Sequence, residues 1–145
     1  MKKFFVTSLI VASFIDVSYA LAKTTFEKAV WIPYWRKTEG SSTTLANLDK
    51  LTQISPFAYE LQTDGTIKNV LKIEEEPWKT LIAEAKKKKV KVYPSILSYP
   101  HNEKEKYLQY LLFSQKKKRQ AHVKEIVAIV KKNKFDGIDI DYEAK

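Results

Sequence analysis

Four stretches of the chain are apolar almost without a break: AVWIPYW (residues 29–35), ISPFAYEL (54–61), VKVYPSILSY (90–99) and FDGIDIDY (135–142). Polar residues gather mainly toward their C-terminal ends. Strands covered on both faces read this way, whereas half-solvated strands alternate strictly. Between these stretches the period becomes helical. Ser41, Ser42 and Thr43 are cap-type residues ahead of Leu45, Leu48 and Leu51. Pro77 suits a first helical turn and precedes Trp78, Leu81, Ile82 and Ala85, an i, i+3, i+4, i+7 stripe. Val123, Ile126, Val127 and Val130 repeat that stripe, after a shorter helical piece over residues 107–112. Thr63-Asp64-Gly65-Thr66 reads as a turn in a small excursion behind the second strand.

Strand and helix therefore alternate, which predicts an α/β fold with a parallel sheet. Such a sheet either stays open and doubly wound or closes into an eight-stranded barrel. No G-x-G-x-x-G follows any strand, so the nucleotide-binding open sheet has no support. A closed barrel takes roughly 250 residues, and this chain has 145. The expectation is the N-terminal half of a (β/α)8 TIM barrel, strands one to four, truncated at the mouth of the fourth strand. A half barrel leaves two sheet edges open, so the lone chain is expected to be marginal in stability and inactive by itself.

The first residues change the picture of where the chain works. Lys2 and Lys3 precede an apolar run over residues 4–15, and Ala20-Leu21-Ala22 offers a small-residue cleavage site. This reads as a secretory signal peptide over residues 1–22, with the folded domain over 23–145. The run is shorter than the ~20 residues of a spanning helix, and Asp16 interrupts it. A secreted or cell-envelope product with no stable membrane anchor is expected. The absence of cysteine excludes disulfides, thiolate metal sites, a cysteine nucleophile and a lipid-anchor site. His101 and His122 do not have a metal-pair spacing. The net charge is +9. Much of it sits in the lysine-rich runs 86–89 and 116–119, which read as solvated helix surface, the first favourably placed at a helix C-terminus. Together with export, this gives no expectation of a nucleic-acid partner.

The fourth stretch carries the chemistry. Side chains alternate across a strand, so Asp139, Asp141 and Glu143 share one face at about 6.6 Å intervals. In a barrel they point inward, with Glu143 nearest the C-terminal mouth where barrel active sites lie. Like charges crowded into a partly dry site cannot all ionise, and a carboxylic acid that keeps its proton is a general acid. Two other readings compete. A solvated acidic face conflicts with Phe135, Ile138, Ile140 and Tyr142, which ask for burial. A calcium loop needs its turn glycine after the acids, whereas Gly137 precedes them.

Asp136-Gly137-Ile138-Asp139-Ile140-Asp141-Tyr142-Glu143 resembles the D-G-x-D-x-D-x-E signature of glycoside hydrolase family 18, the chitinase-like family, at every fixed position. The wording of WIPYW and ISPFAYELQTDGTI is similar to its bacterial spore-germination and cell-wall hydrolase branch. Ser95 and the Tyr34-Trp35 pair add weaker support, while Ser95-Ile96-Leu97-Ser98 departs from the family's usual S-x-G-G.

The resemblance implies a glycosidase acting on chitin, chito-oligosaccharides or peptidoglycan, retaining through the substrate's own acetamido group, without metal or cofactor. It implies Glu143 as proton donor, Asp141 as the residue that orients the acetamido N–H, and Asp139 as its partner. Asp136 and Gly137 would be structural. Tyr34, Trp35, Tyr142 and Ser95 are the substrate-binding candidates and Trp78 a core residue, while His101, behind the third strand, is either a residue of the cleft rim or a solvated loop histidine. A tyrosine and a tryptophan on the family's later strands have no counterpart here. The competing expectation is a non-catalytic carbohydrate-binding module of the same fold.

Overall fold

The computed structural model describes residues 26–143, so the leader read over residues 1–22 lies outside the described residues. Strand β1 (Ala29–Ile32) is followed by a 3-10 turn (Tyr34–Arg36) and helix α1 (Lys37–Ala46). Strand β2 (Gln53–Leu61) turns back through Gly65, at φ 91°, into the short strand β3 (Ile67–Asn69). Helix α2 (Trp78–Lys87), strands β4 (Lys91–Val92) and β5 (Ser95–Ser98), helices α3 (Glu103–Ser114) and α4 (Lys116–Asn133), and strand β6 (Asp139–Tyr142) complete the order.

The strands run β1–β2–β5–β6 across one curled sheet, every neighbour parallel. Strand β4 continues the line of β5 and pairs with the start of β2. The break between them falls at Pro94, which has no N–H to give to a ladder. These are the first four strands of a barrel, with β3 added antiparallel to the far half of β2. The chain is thus an α/β half-barrel. Among the described residues, no helix is long and apolar enough to cross a membrane.

The core lies on the outer face of the sheet. Ile32, Ile54, Val92 and Ile96 point there from β1, β2, β4 and β5, all at 1% exposure or less. Trp78, Leu81, Ile82 and Ala85 of α2 meet them, so the predicted stripe is the buried face of that helix.

Two helices differ from the expectation. Helix α1 begins at Lys37, and Ser41 and Ser42 sit inside it rather than capping it. Their hydroxyls donate to carbonyls of the preceding turn, Ser41 to Thr38 at 3.1 Å and Ser42 to Glu39 at 3.0 Å, which lets hydroxyl residues occupy a helix interior. The helix ends at Ala46, and Leu48 is buried from a separate 3-10 turn. In α4 the packed side is Ile126, Ile129 and Val130, while Val123 and Val127 face outward. His122 is the buried residue of this helix, and the contacts it makes below explain the shift of the stripe.

Candidate active site

The inner face of the sheet is stitched across three strands. The register sets Ser95 of β5 beside Asp139 of β6, and Leu97 beside Asp141. The Trp31 indole N–H donates to Ser95 Oγ at 2.9 Å, and Ser95 Oγ donates to Asp139 Oδ2 at 2.7 Å. A hydroxyl has one proton to give and lone pairs to receive, so Ser95 relays between an indole and a carboxylate. Asp139 thus takes a hydrogen bond from Ser95.

Glu143 lies one residue past β6. Its N–H donates to the Ser98 carbonyl at 2.9 Å, which extends the ladder and fixes the backbone that carries the carboxylate. The side chain is exposed and opens into a cleft of about 570 Å³. Trp31, Tyr34, Trp35, Phe57, Leu97 and Tyr99 form its apolar walls. The Tyr34 and Trp35 rings meet edge to face at 4.9 Å, and Tyr34 packs on Phe57 at 5.2 Å. Apolar walls with a few convergent polar groups at one end are the usual make-up of a small-molecule site.

Of the predicted site residues, Glu143, Tyr34 and Trp35 line this cleft. Asp139 and Asp141 precede Glu143 on β6, in register with Ser95 and with the cleft-lining Leu97. Tyr34 and Trp35 reach the cleft from the 3-10 turn behind β1, not from the strand itself, because the strand ends at Ile32 and Pro33 starts the turn. His101 stands at the rim against Tyr99, ring centres 5.3 Å apart. Asp136 is structural: its carboxylate accepts from Val92 N–H at 2.8 Å and its N–H donates to the Val92 carbonyl at 3.1 Å. Gly137 is needed for space, since a Cβ there would lie 2.8 Å from the Tyr93 ring.

Two substrate-binding candidates are corrected. Ser95 is fully buried and cannot touch a ligand; it positions Asp139. Tyr142 points to the helical side, where its hydroxyl lies 2.6 Å from His122 Nε2 and its ring packs on Phe113 at 5.4 Å. Alternation sends it there, because the next residue, Glu143, faces the cleft. Burial, with Glu125 adding to it, pushes the Tyr142 hydroxyl up to about 12.

Phe57 and Tyr99 also line the cleft, and nothing in the sequence pattern singles them out. Trp31, one of three tryptophans able to stack on a sugar, lines the cleft because it alternates with the outward Ile32 on β1. Leu97 falls where the S-x-G-G pattern has its first glycine, and its side chain fills part of the cleft wall.

The sequence profile of Glycosyl hydrolases family 18 matches residues 30–145. No curated protein sequence matches significantly. Among solved structures, the chain is similar to a class V chitinase from Pseudomonas fluorescens Pf-5, at TM-score 0.65 and 19% identity over 79% of this chain and 34% of that one. It is similar to the spore cortex-lytic enzyme SleL of Bacillus cereus, at TM-score 0.61 and 16% identity over 80% of this chain and 26% of that one. A family 18 chitinase mutant from Cycas revoluta, solved with (GlcNAc)4, gives TM-score 0.59 and 20% identity over 82% and 34%. The chain spans about a quarter to a third of the length of these proteins. The half-barrel, its inward row of carboxylates and the profile that runs through them agree, and the chain belongs to glycosyl hydrolase family 18.

Proposed function

We propose that this chain supplies the proton-donor half of a glycosidase site for glycans that contain N-acetylglucosamine, such as chitin, chito-oligosaccharides or the peptidoglycan strand. The observation that carries the reading is the position of Glu143, backbone-anchored to β5 and open to an aromatic-walled cleft. In this reading Glu143 protonates the glycosidic oxygen while the rings of Tyr34 and Trp35 hold sugar faces. Asp141, next on the same face, orients the acetamido N–H so that its carbonyl attacks the anomeric carbon with retention. Asp139 accepts from Ser95 and keeps the acidic row in place.

Glu143→Gln in the product of the native locus tests the reading. Loss of general acid catalysis costs about 10²–10⁴-fold, so hydrolysis of a chromogenic N-acetyl-chito-oligosaccharide should drop by that much while oligosaccharide binding persists. Binding by the wild type without any turnover would instead support a non-catalytic carbohydrate-binding module.

A further inference from the structure

Strand β2 carries an irregularity that changes what faces the cleft. Phe57 pairs with Ser95 and Tyr59 with Ile96, so Ala58 is an extra residue in β2. From that point the alternation of β2 is inverted. Phe57 faces inward with Ser95, Tyr59 faces the core with Ile96, and Glu60 falls opposite Leu97 on the inner face. A regular strand would have carried Glu60 outward, to the side of the helices. The bulge is well held, because the Ala58 carbonyl accepts from Val70 N–H at 3.0 Å and Leu71 N–H at 3.2 Å. Bulges of this kind commonly re-aim a side chain beside a functional site.

Glu60 arrives at a junction. Beyond the aromatic cleft lies a second, smaller cavity of about 240 Å³, between the β2–β3 hairpin and α3. Glu60, Tyr99 and His101 line both cavities and form the sill between them. The walls of the second cavity are mostly polar, with Gln62, Ser98 and Gln109 among them. Gln109 Nε2 already donates to Ser98 Oγ at 3.0 Å, and Glu105 already accepts from His101 N–H at 2.7 Å. Among the described residues, no hydrogen bond or ion pair holds the Glu60 carboxylate. Lys68, its register partner on β3, does not come within ion-pairing distance. A half-buried acceptor left open between two cavities is suited to the hydroxyl and amide donors of a sugar.

We propose that Glu60 is a glycan-binding residue of this site, accepting hydrogen bonds from a sugar unit that crosses the sill into the polar cavity. The inference rests on the function proposed above and deepens it: the ligand is an oligosaccharide longer than the aromatic end alone can hold. Short oligomers sit against Tyr34 and Trp35, and longer ones reach Glu60.

Calorimetric titration of the 145-residue chain with (GlcNAc)2 and (GlcNAc)4 tests this, using wild type, Glu60→Ala and the isosteric Glu60→Gln, each checked for an unchanged thermal transition. Glu60→Ala should weaken the tetramer roughly tenfold or more, the scale of a hydrogen bond to a charged acceptor, and leave the dimer unchanged, with Glu60→Gln in between. Unaltered tetramer binding by Glu60→Ala overturns the inference, as does an equal loss for both oligomers. If wild type binds neither oligomer, the glycan reading itself falls and takes this inference with it.

Discussion

At the scale of single residues, Ser95 ties the Trp31 indole to the Asp139 carboxylate, and His122 lies buried against the Tyr142 hydroxyl. The acidic row was legible because the alternation of a strand is rigid geometry. The role of Ser95 was not, since its partners Trp31 and Asp139 lie 64 and 44 positions away. Nor was the environment of His122. Its ring is buried between Phe113 of α3 and Tyr142 of β6, with Glu125 as the charged neighbour on its own helix, and its Nδ1 has no partner among the described residues. Burial depresses its proton affinity, and Glu125 opposes that only in part. The fold therefore prefers the neutral ring, and the unfolded chain takes up a proton first. The stability from this site is complete above the unfolded value of about 6.5 and declines as pH falls through it. Denaturant midpoints at pH 7 and pH 5 should show this decline, and His122→Gln should flatten that part of the slope.

At the scale of elements, periodicity located α2, α3 and α4 and failed at α1 and at the boundaries, where local hydrogen bonding decides. Helix α2 matched its stripe because one continuous apolar face meets the sheet. The start of α1 was misplaced because serines read as caps were bonded inside the helix. The bulge at Ala58 left no mark in the sequence, since an inserted strand residue looks like any other small apolar one. Helix ends hold one more surprise. Lys89 and Lys134, just past α2 and α4, have φ of 58° and 54°, a left-handed conformation that glycine adopts without a Cβ penalty. Replacing either by glycine should raise stability by about 0.5–1 kcal/mol, measurable as a higher denaturation midpoint with an unchanged slope. Gain at neither position would mean that the lysine stems contribute packing that offsets the strain.

At the scale of the whole molecule, fold class and strand order were legible, because four buried strands separated by helices admit few arrangements. Legibility ended where one part covers another. Ile140 was expected to be buried like its apolar neighbours, yet it is 48% exposed. Strand β6 pairs on one side only, with β5, among the described residues, so its outer face is partly uncovered. Ile96, one strand inward, is at 0%. The same truncation should therefore cost very different amounts: about 2–5 kcal/mol for Ile96→Ala and under about 1 kcal/mol for Ile140→Ala, read by urea denaturation. Similar costs at the two sites would show that β6 is covered in solution.

The three tryptophans occupy three different surroundings. Trp78 is wholly buried and its N–H finds no acceptor among the described residues, Trp31 donates to Ser95, and Trp35 is 64% exposed. Their fluorescence should differ accordingly: a blue, quencher-proof emission from Trp78, a red and quencher-sensitive one from Trp35, and from Trp31 a signal tied to the acidic row. One emission spectrum, recorded with and without acrylamide, thus separates the integrity of the core from events in the cleft without any label attached to the protein.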